Sequence, residues 1–122
     1  MSASWMDHKG KKILYLDFRG SKTEDELIQV LLEAQQLIVS ARGQVLTVSN
    51  YEGVSVTTGF LNRLKDLGKQ AVQSQRIEKL ALLGITELKN VLVQGYLSAT
   101  GQKNVRTFGK EAEALDWLVE VT

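Results

Sequence analysis

The sequence predicts an α/β fold of order β-β-α-β-α-β-α-β-α, with a mostly parallel sheet of about five strands and an antiparallel N-terminal hairpin. Three observations predict it. Short apolar or β-branched runs alternate with longer stretches of helical spacing. The connections between them are short, as right-handed crossovers in a parallel sheet require. The first two runs are separated only by "HKGK", which is room for a turn but not for a crossover.

Each element has its own warrant. In "HKGK" Gly10 supplies a positive φ, so "SASWMD" becomes the short hairpin partner of "KKILYLDF". From Ile13 to Phe18 the second run is apolar on both alternating faces, which predicts an interior strand covered on both sides. Thr23-x-x-Glu26 is a capping-box pattern that opens a helix carrying Leu27, Val30, Leu31, Ala34, Leu37, Ile38 and Ala41, with Gly43 as its terminator. "QVLTVSNY" alternates and is β-branched, the pattern of a strand.

A second helix starts near Thr58 and sets Phe60, Leu61, Leu64, Leu67, Ala71 and Val72 on one face. "IEKLALLGI" is the next buried strand, with Leu80 to Leu83 covered on both sides. Thr86 caps a third helix whose apolar positions are Leu88, Val91, Leu92, Tyr96 and Ala99, ending near Gly101. "NVRTF" is a last short strand. "KEAEALDWLVEV" is a last helix, with Glu111 and Glu113 near the positive end of its dipole and Trp117 expected in the core with Ala114, Leu118 and Val121.

Composition narrows the function classes. The 122 residues suit one domain over 1–122 with a single core. Fifteen basic residues against fourteen acidic ones give a net charge of +1, no electrostatic footprint for nucleic acid or an anionic membrane surface. No cysteine is present, which removes disulfides, thiolate metal sites and cysteine nucleophiles. The absence of an apolar leader or a long apolar run leads to the expectation of a cytoplasmic protein without membrane insertion.

Catalytic patterns are weak. The one histidine, His8, lies on a lysine-rich turn far in sequence from any serine that follows a strand. "SATGQK" lacks the spacing of a phosphate loop and closes a helix instead of opening one. Asp17, Glu24, Asp25 and Glu26 sit where a helix dipole favours acids without any need for acid–base chemistry. The expectation is a protein with no catalytic residues, no cofactor and no metal.

Ala81-x-x-Gly84-Ile85-Thr86-x-Leu88-Lys89, followed by Phe108 and Glu113-Ala114-x-Asp116-Trp117-Leu118, resembles the SpoIIAA-like family. These are small bacterial proteins with the fold of STAS domains, the domains of anti-sigma-factor antagonists and sulfate transporters. The resemblance implies a STAS-like domain along nearly the whole chain. It implies a non-catalytic regulatory module that binds a protein partner and leaves homodimerisation open. The same residues have a packing role. Ala81 and Gly84 are small where a helix approaches a strand, Thr86 caps, and Phe108, Ala114, Trp117 and Leu118 meet the core.

In the STAS anti-sigma antagonists the second helix opens with Asp-Ser-Ser-Gly, and the second serine is phosphorylated. Here Thr57 and Thr58 stand in the serine positions before Gly59, but Val56 replaces the aspartate. The threonines are therefore candidates for a phospho-acceptor or for a plain helix cap, and the cap is the expected role.

The other candidate site is the crevice at the carboxyl ends of the strands, where open α/β sheets bind small molecules. Those ends are Asp17-Phe18-Arg19, Ser49-Asn50-Tyr51 and Ile85-Thr86. Arg19 is a candidate for an anion, Asn50 for a polar group, Tyr51 for a pocket wall, and Thr86 lies beside them. The alternative function is thus a small-ligand or lipid-binding domain, in fold analogy to the CRAL-TRIO lipid-transfer proteins.

Overall fold

A computed structural model describes residues 1–121. The strands are β1 (Ser2–His8), β2 (Lys11–Asp17), β3 (Val45–Asn50), β4 (Ile77–Leu83) and β5 (Val105–Phe108). The helices are α1 (Glu24–Ser40), α2 (Thr58–Ser74), α3 (Glu87–Thr100) and α4 (Glu111–Val119). The strands form one sheet in the order β1-β2-β3-β4-β5. β1 runs antiparallel to β2, and all other neighbours are parallel. The element order and mixed sheet are those the sequence predicts.

Local chemistry builds the elements. Lys9 and Gly10 both adopt positive φ, the pair of left-handed residues that a tight hairpin turn demands. Thr23 and Glu26 complete the capping box at α1. Thr86 caps α3 by accepting from the Lys89 N–H, and Gly101 ends that helix in the left-handed conformation.

The sheet carries an apolar cluster on each face. On one, Leu14 and Leu16 of β2 and Phe18 just after it meet Leu27, Val30 and Leu31 of α1, together with Phe60 of α2. On the other, Ile13, Leu46, Val48, Ala81 and Leu83 pack under Ala114, Leu115 and Leu118 of α4. Each fully buried Leu or Phe side chain contributes roughly 1.5–3 kcal/mol to this arrangement. Phe18, Tyr51 and Phe60 form an aromatic knot, with Phe18 and Tyr51 stacked at 4.6 Å and Phe60 edge-on to both. It pins the ends of β2 and β3 to the start of α2.

β3 is buried at all six of its residues. It is the central strand, and its polar members have partners: Thr47 Oγ1 donates to the Lys79 carbonyl at 3.1 Å, and Asn50 bonds at both ends of its amide. On α3 the residues expected inward are split, with Leu88 80 % and Val91 69 % exposed and Ala99 also outside, while Tyr96 is buried. Trp117 is for the most part buried and packs on the α4 cluster, lying against Phe108 with the Arg106 guanidinium over its ring, whereas Val121, expected beside it, is outside the helix and exposed. Gly84 is required by a backbone: a methyl group there would strike Tyr51 and Glu52, and its φ is +77°.

Cations from elsewhere in the fold close two helix C-termini. Arg76 donates to the carbonyls of Ile38 in the last turn of α1 and of Ala41 and Gly43 beyond it, where Gly43 alone was expected to end the helix. Lys79, 5 % exposed, donates from Nζ to the carbonyls of Trp117 (2.9 Å) and Glu120 (3.0 Å) at the end of α4. Neither helix has a basic residue in its own last turn.

Candidate functional site

In parallel strands followed by helices, the carboxyl ends of the strands and the amino ends of the helices share one end of the fold. Thr57, Thr58, Arg19, Asn50, Tyr51 and Thr86 all belong to that end, and the structure separates their roles. Thr57 is the N-cap of α2: its Oγ1 accepts from the Phe60 N–H at 3.2 Å and donates to Glu24 Oε1 at 2.6 Å. Thr58 is the first helical residue and is exposed. A methyl group at Gly59 would fall on the Glu24 carboxylate, so that carboxylate lies over the opening of α2. An anion at a helix amino end is favoured by its free N–H groups and dipole.

Arg19 is already paired. Its guanidinium binds Asp17 through Nε (2.9 Å) and Nη2 (3.0 Å), which holds the Asp17 carboxyl below the usual carboxylate range. Asn50 is buried, donating to the Tyr15 hydroxyl at 2.9 Å and accepting from the Glu52 N–H at 3.0 Å. Tyr15 in turn donates to Glu111, and burial together with that carboxylate raises its pKa. Thr86 is committed to capping α3. Tyr51 is buried, and its phenol is pushed well above its ordinary pKa by burial.

Of these residues Tyr51 alone lines a cavity. A compartment of about 70 Å³ lies between α2 and α3 over the sheet, walled by Tyr51, Val56, Phe60, Leu82, Lys89 and Val93. Beneath the second half of α2, towards α1, is a larger one of about 260 Å³, walled by Leu31, Ala34, Leu67, Ala71 and Ile77 among others. The two share Ser49, Leu64, Leu80 and Tyr96 as a dividing wall. The local cause is α2 itself. Only Phe60 and Gly68 are buried among its 17 residues, and Leu61, Leu64, Leu67 and Ala71 reach the core only in part. Gly68 is small because a methyl group would meet Tyr96, whose hydroxyl donates to Gln102 and is pushed up to about 12 by burial.

Lys89 stands at the mouth of the smaller compartment. Its Nζ donates to the carbonyls of Tyr51 (2.8 Å) and Gly84 (3.1 Å), and desolvation lowers its pKa. The sequence did hold a signal for it: a lysine in the first turn of a helix opposes the macrodipole. Glu24 gave none, because an acid in a first turn is expected on the same grounds. His8, read as an isolated exposed residue, is part-buried and pairs through Nε2 with Asp116 Oδ1 at 2.9 Å, beside Lys9.

Among the described residues, no group of three or more His, Cys, Asp or Glu converges, and no helix is long and apolar enough to cross a membrane. No protein-family model matches the chain, and no curated protein matches it either.

Proposed function

We propose that this chain is a non-catalytic, STAS-like binding domain that holds a small apolar molecule between α2 and the sheet. The observation that carries this reading is the pair of adjoining apolar compartments under a helix that buries only two of its residues. The larger space of about 260 Å³ approaches the lower end of ligand pockets, roughly 300 Å³. Tyr51 walls the smaller, adjoining space as a strand-end residue, which favours the crevice reading over one built on Arg19, whose charge Asp17 already occupies. Native mass spectrometry of the purified chain tests the reading. One small apolar molecule retained per chain, or stoichiometric uptake of an apolar fluorescent probe, is the expected result. A bare chain that takes up no such probe overturns it.

A second reading, a regulatory module of a bacterial cell that docks a protein at the same end of the fold, is favoured by one observation. Thr58 is exposed at the opening of α2, and the exposed Leu88 and Val91 lie on the neighbouring α3. Under that reading Thr58→Glu abolishes partner binding while Thr58→Ala preserves it, with the fold intact in both. Loss of binding in neither variant removes Thr58 as a phosphorylation switch.

A further inference from the structure

Burying an ammonium costs free energy unless it is paired, and a carboxylate is the ordinary partner. Lys89 is part-buried and has no carboxylate within ion-pair distance among the described residues. Glu52 is its one charged neighbour of consequence, and it acts from a distance, without an ion pair. The ammonium has three donors. Two are spent on the carbonyls of Tyr51 and Gly84, which leaves one N–H without a protein acceptor. The position is also set against the dipole, since Lys89 lies in the first turn of α3, three residues after its Thr86 cap. Below this cation the walls turn apolar at once, with Phe60, Leu82 and Val93 in the smaller compartment and Leu64 on the way to the larger.

We infer that the occupant of the cavity is a carboxylate-headed amphiphile, its head group on Lys89 Nζ and its hydrocarbon chain under α2. This rests on the ligand-binding reading above and adds the head group. One remaining N–H offers a single contact and a single charge, which suits a carboxylate better than a phosphate needing several donors. The smaller compartment, about 70 Å³, is well below the roughly 300 Å³ of an ordinary ligand pocket and too small for a hydrocarbon chain alone. The chain therefore continues past Leu64 into the larger space of about 260 Å³. Leu64 is half-buried on the thinly seated α2 and lines both compartments.

The test compares decanoate with decanol, equal in chain length and different in charge, by calorimetric titration into the full chain. Decanoate is expected to bind one per chain and about tenfold or more tighter than decanol, the scale of one charge-assisted hydrogen bond. Lys89→Gln should erase the preference, and Lys89→Arg should restore it. Equal affinities in the wild-type chain, or a preference that survives Lys89→Gln, overturns the head-group assignment alone. If neither compound binds the wild-type chain, the ligand-binding reading falls as well. Should Lys89→Gln fail to fold, the wild-type comparison decides by itself.

Discussion

The Thr57 hydroxyl lies 2.6 Å from a carboxylate oxygen of Glu24, a link between the first turns of two helices whose residues are 33 apart in sequence. The hydroxyl uses both of its capacities there. It donates to Glu24 and accepts from the Phe60 N–H, so α2 is capped by a side chain that α1 holds in place. The Val56 position lacks an acid, and Glu24 supplies a negative charge to the same helix end from across the fold. A phosphoryl group on Thr57 would break the donated bond and set a second anion against the first.

Thr57→Ala should accordingly lower stability by about 1 kcal/mol, the usual cost of losing a threonine cap. Thr58→Ala, at an exposed first-turn position, should stay within about 0.5 kcal/mol of wild type. Urea unfolding of the two variants separates them. Equal losses would mean that the two hydroxyls share the cap.

Lys79 offers a sharper test of how the fold closes its helices. Its buried ammonium satisfies the Trp117 and Glu120 carbonyls at the end of α4. Lys79→Met keeps the length and the apolar stem but leaves both carbonyls without that donor, at a cost of about 1–3 kcal/mol. Thermal unfolding should show it as a lowered Tm. A neutral result would mean that water reaches those carbonyls and the lysine is dispensable.

What could be read in the sequence was chemistry that acts over a few residues. Gly10 in the hairpin, the Thr23–Glu26 box, the Thr86 cap and the apolar run from Ile13 to Phe18 each settle their own conformation locally. What could not be read depends on partners distant in the chain. How Thr47 and Asn50 are satisfied inside β3 depends on acceptors and donors that only the neighbouring strands and turns supply. The third helix is apolar on more than one side, so its spacing could not say whether Leu88 or Tyr96 faces the sheet. Of the candidate site residues, Arg19 and Thr86 are spoken for by near neighbours, Asp17 and Lys89. The cavity itself is a property of how far α2 stands from the sheet, which no single residue announces.

The Asp17–Arg19 pair predicts a pH dependence whose sign is fixed. Arg19 holds the folded-state pKa of Asp17 below its ordinary value, so between the two values the unfolded chain binds more protons than the folded one. Stability from this pair is complete above the ordinary aspartate value, about 3.9, and fades as pH falls through the lowered one. The effect is small because both side chains remain in contact with solvent. Arg19→Gln should lower stability near neutrality by that small amount, with the loss fading as pH falls through the lowered value, and so move the acid-unfolding midpoint to higher pH. An unmoved midpoint in an acid titration followed by circular dichroism would show that the pair contributes nothing.

Ala71 lies on α2 against the larger compartment, where a longer apolar side chain has empty space to enter. Ala71→Leu adds three carbons to a cavity of about 260 Å³, so the space suffices without displacing the sheet. Filling a void restores dispersion contacts that its lining lacks, and such substitutions commonly add about 0.5–2 kcal/mol. If the cavity serves a ligand, the same change should weaken uptake of an apolar probe while raising the unfolding midpoint. That opposition separates a binding site from a packing defect, because in a defect nothing is lost when the hole is closed. Destabilisation by more than about 1 kcal/mol would instead signal overpacking. The space under α2 would then already be closed in solution, and the ligand-binding reading would lose the observation on which it stands.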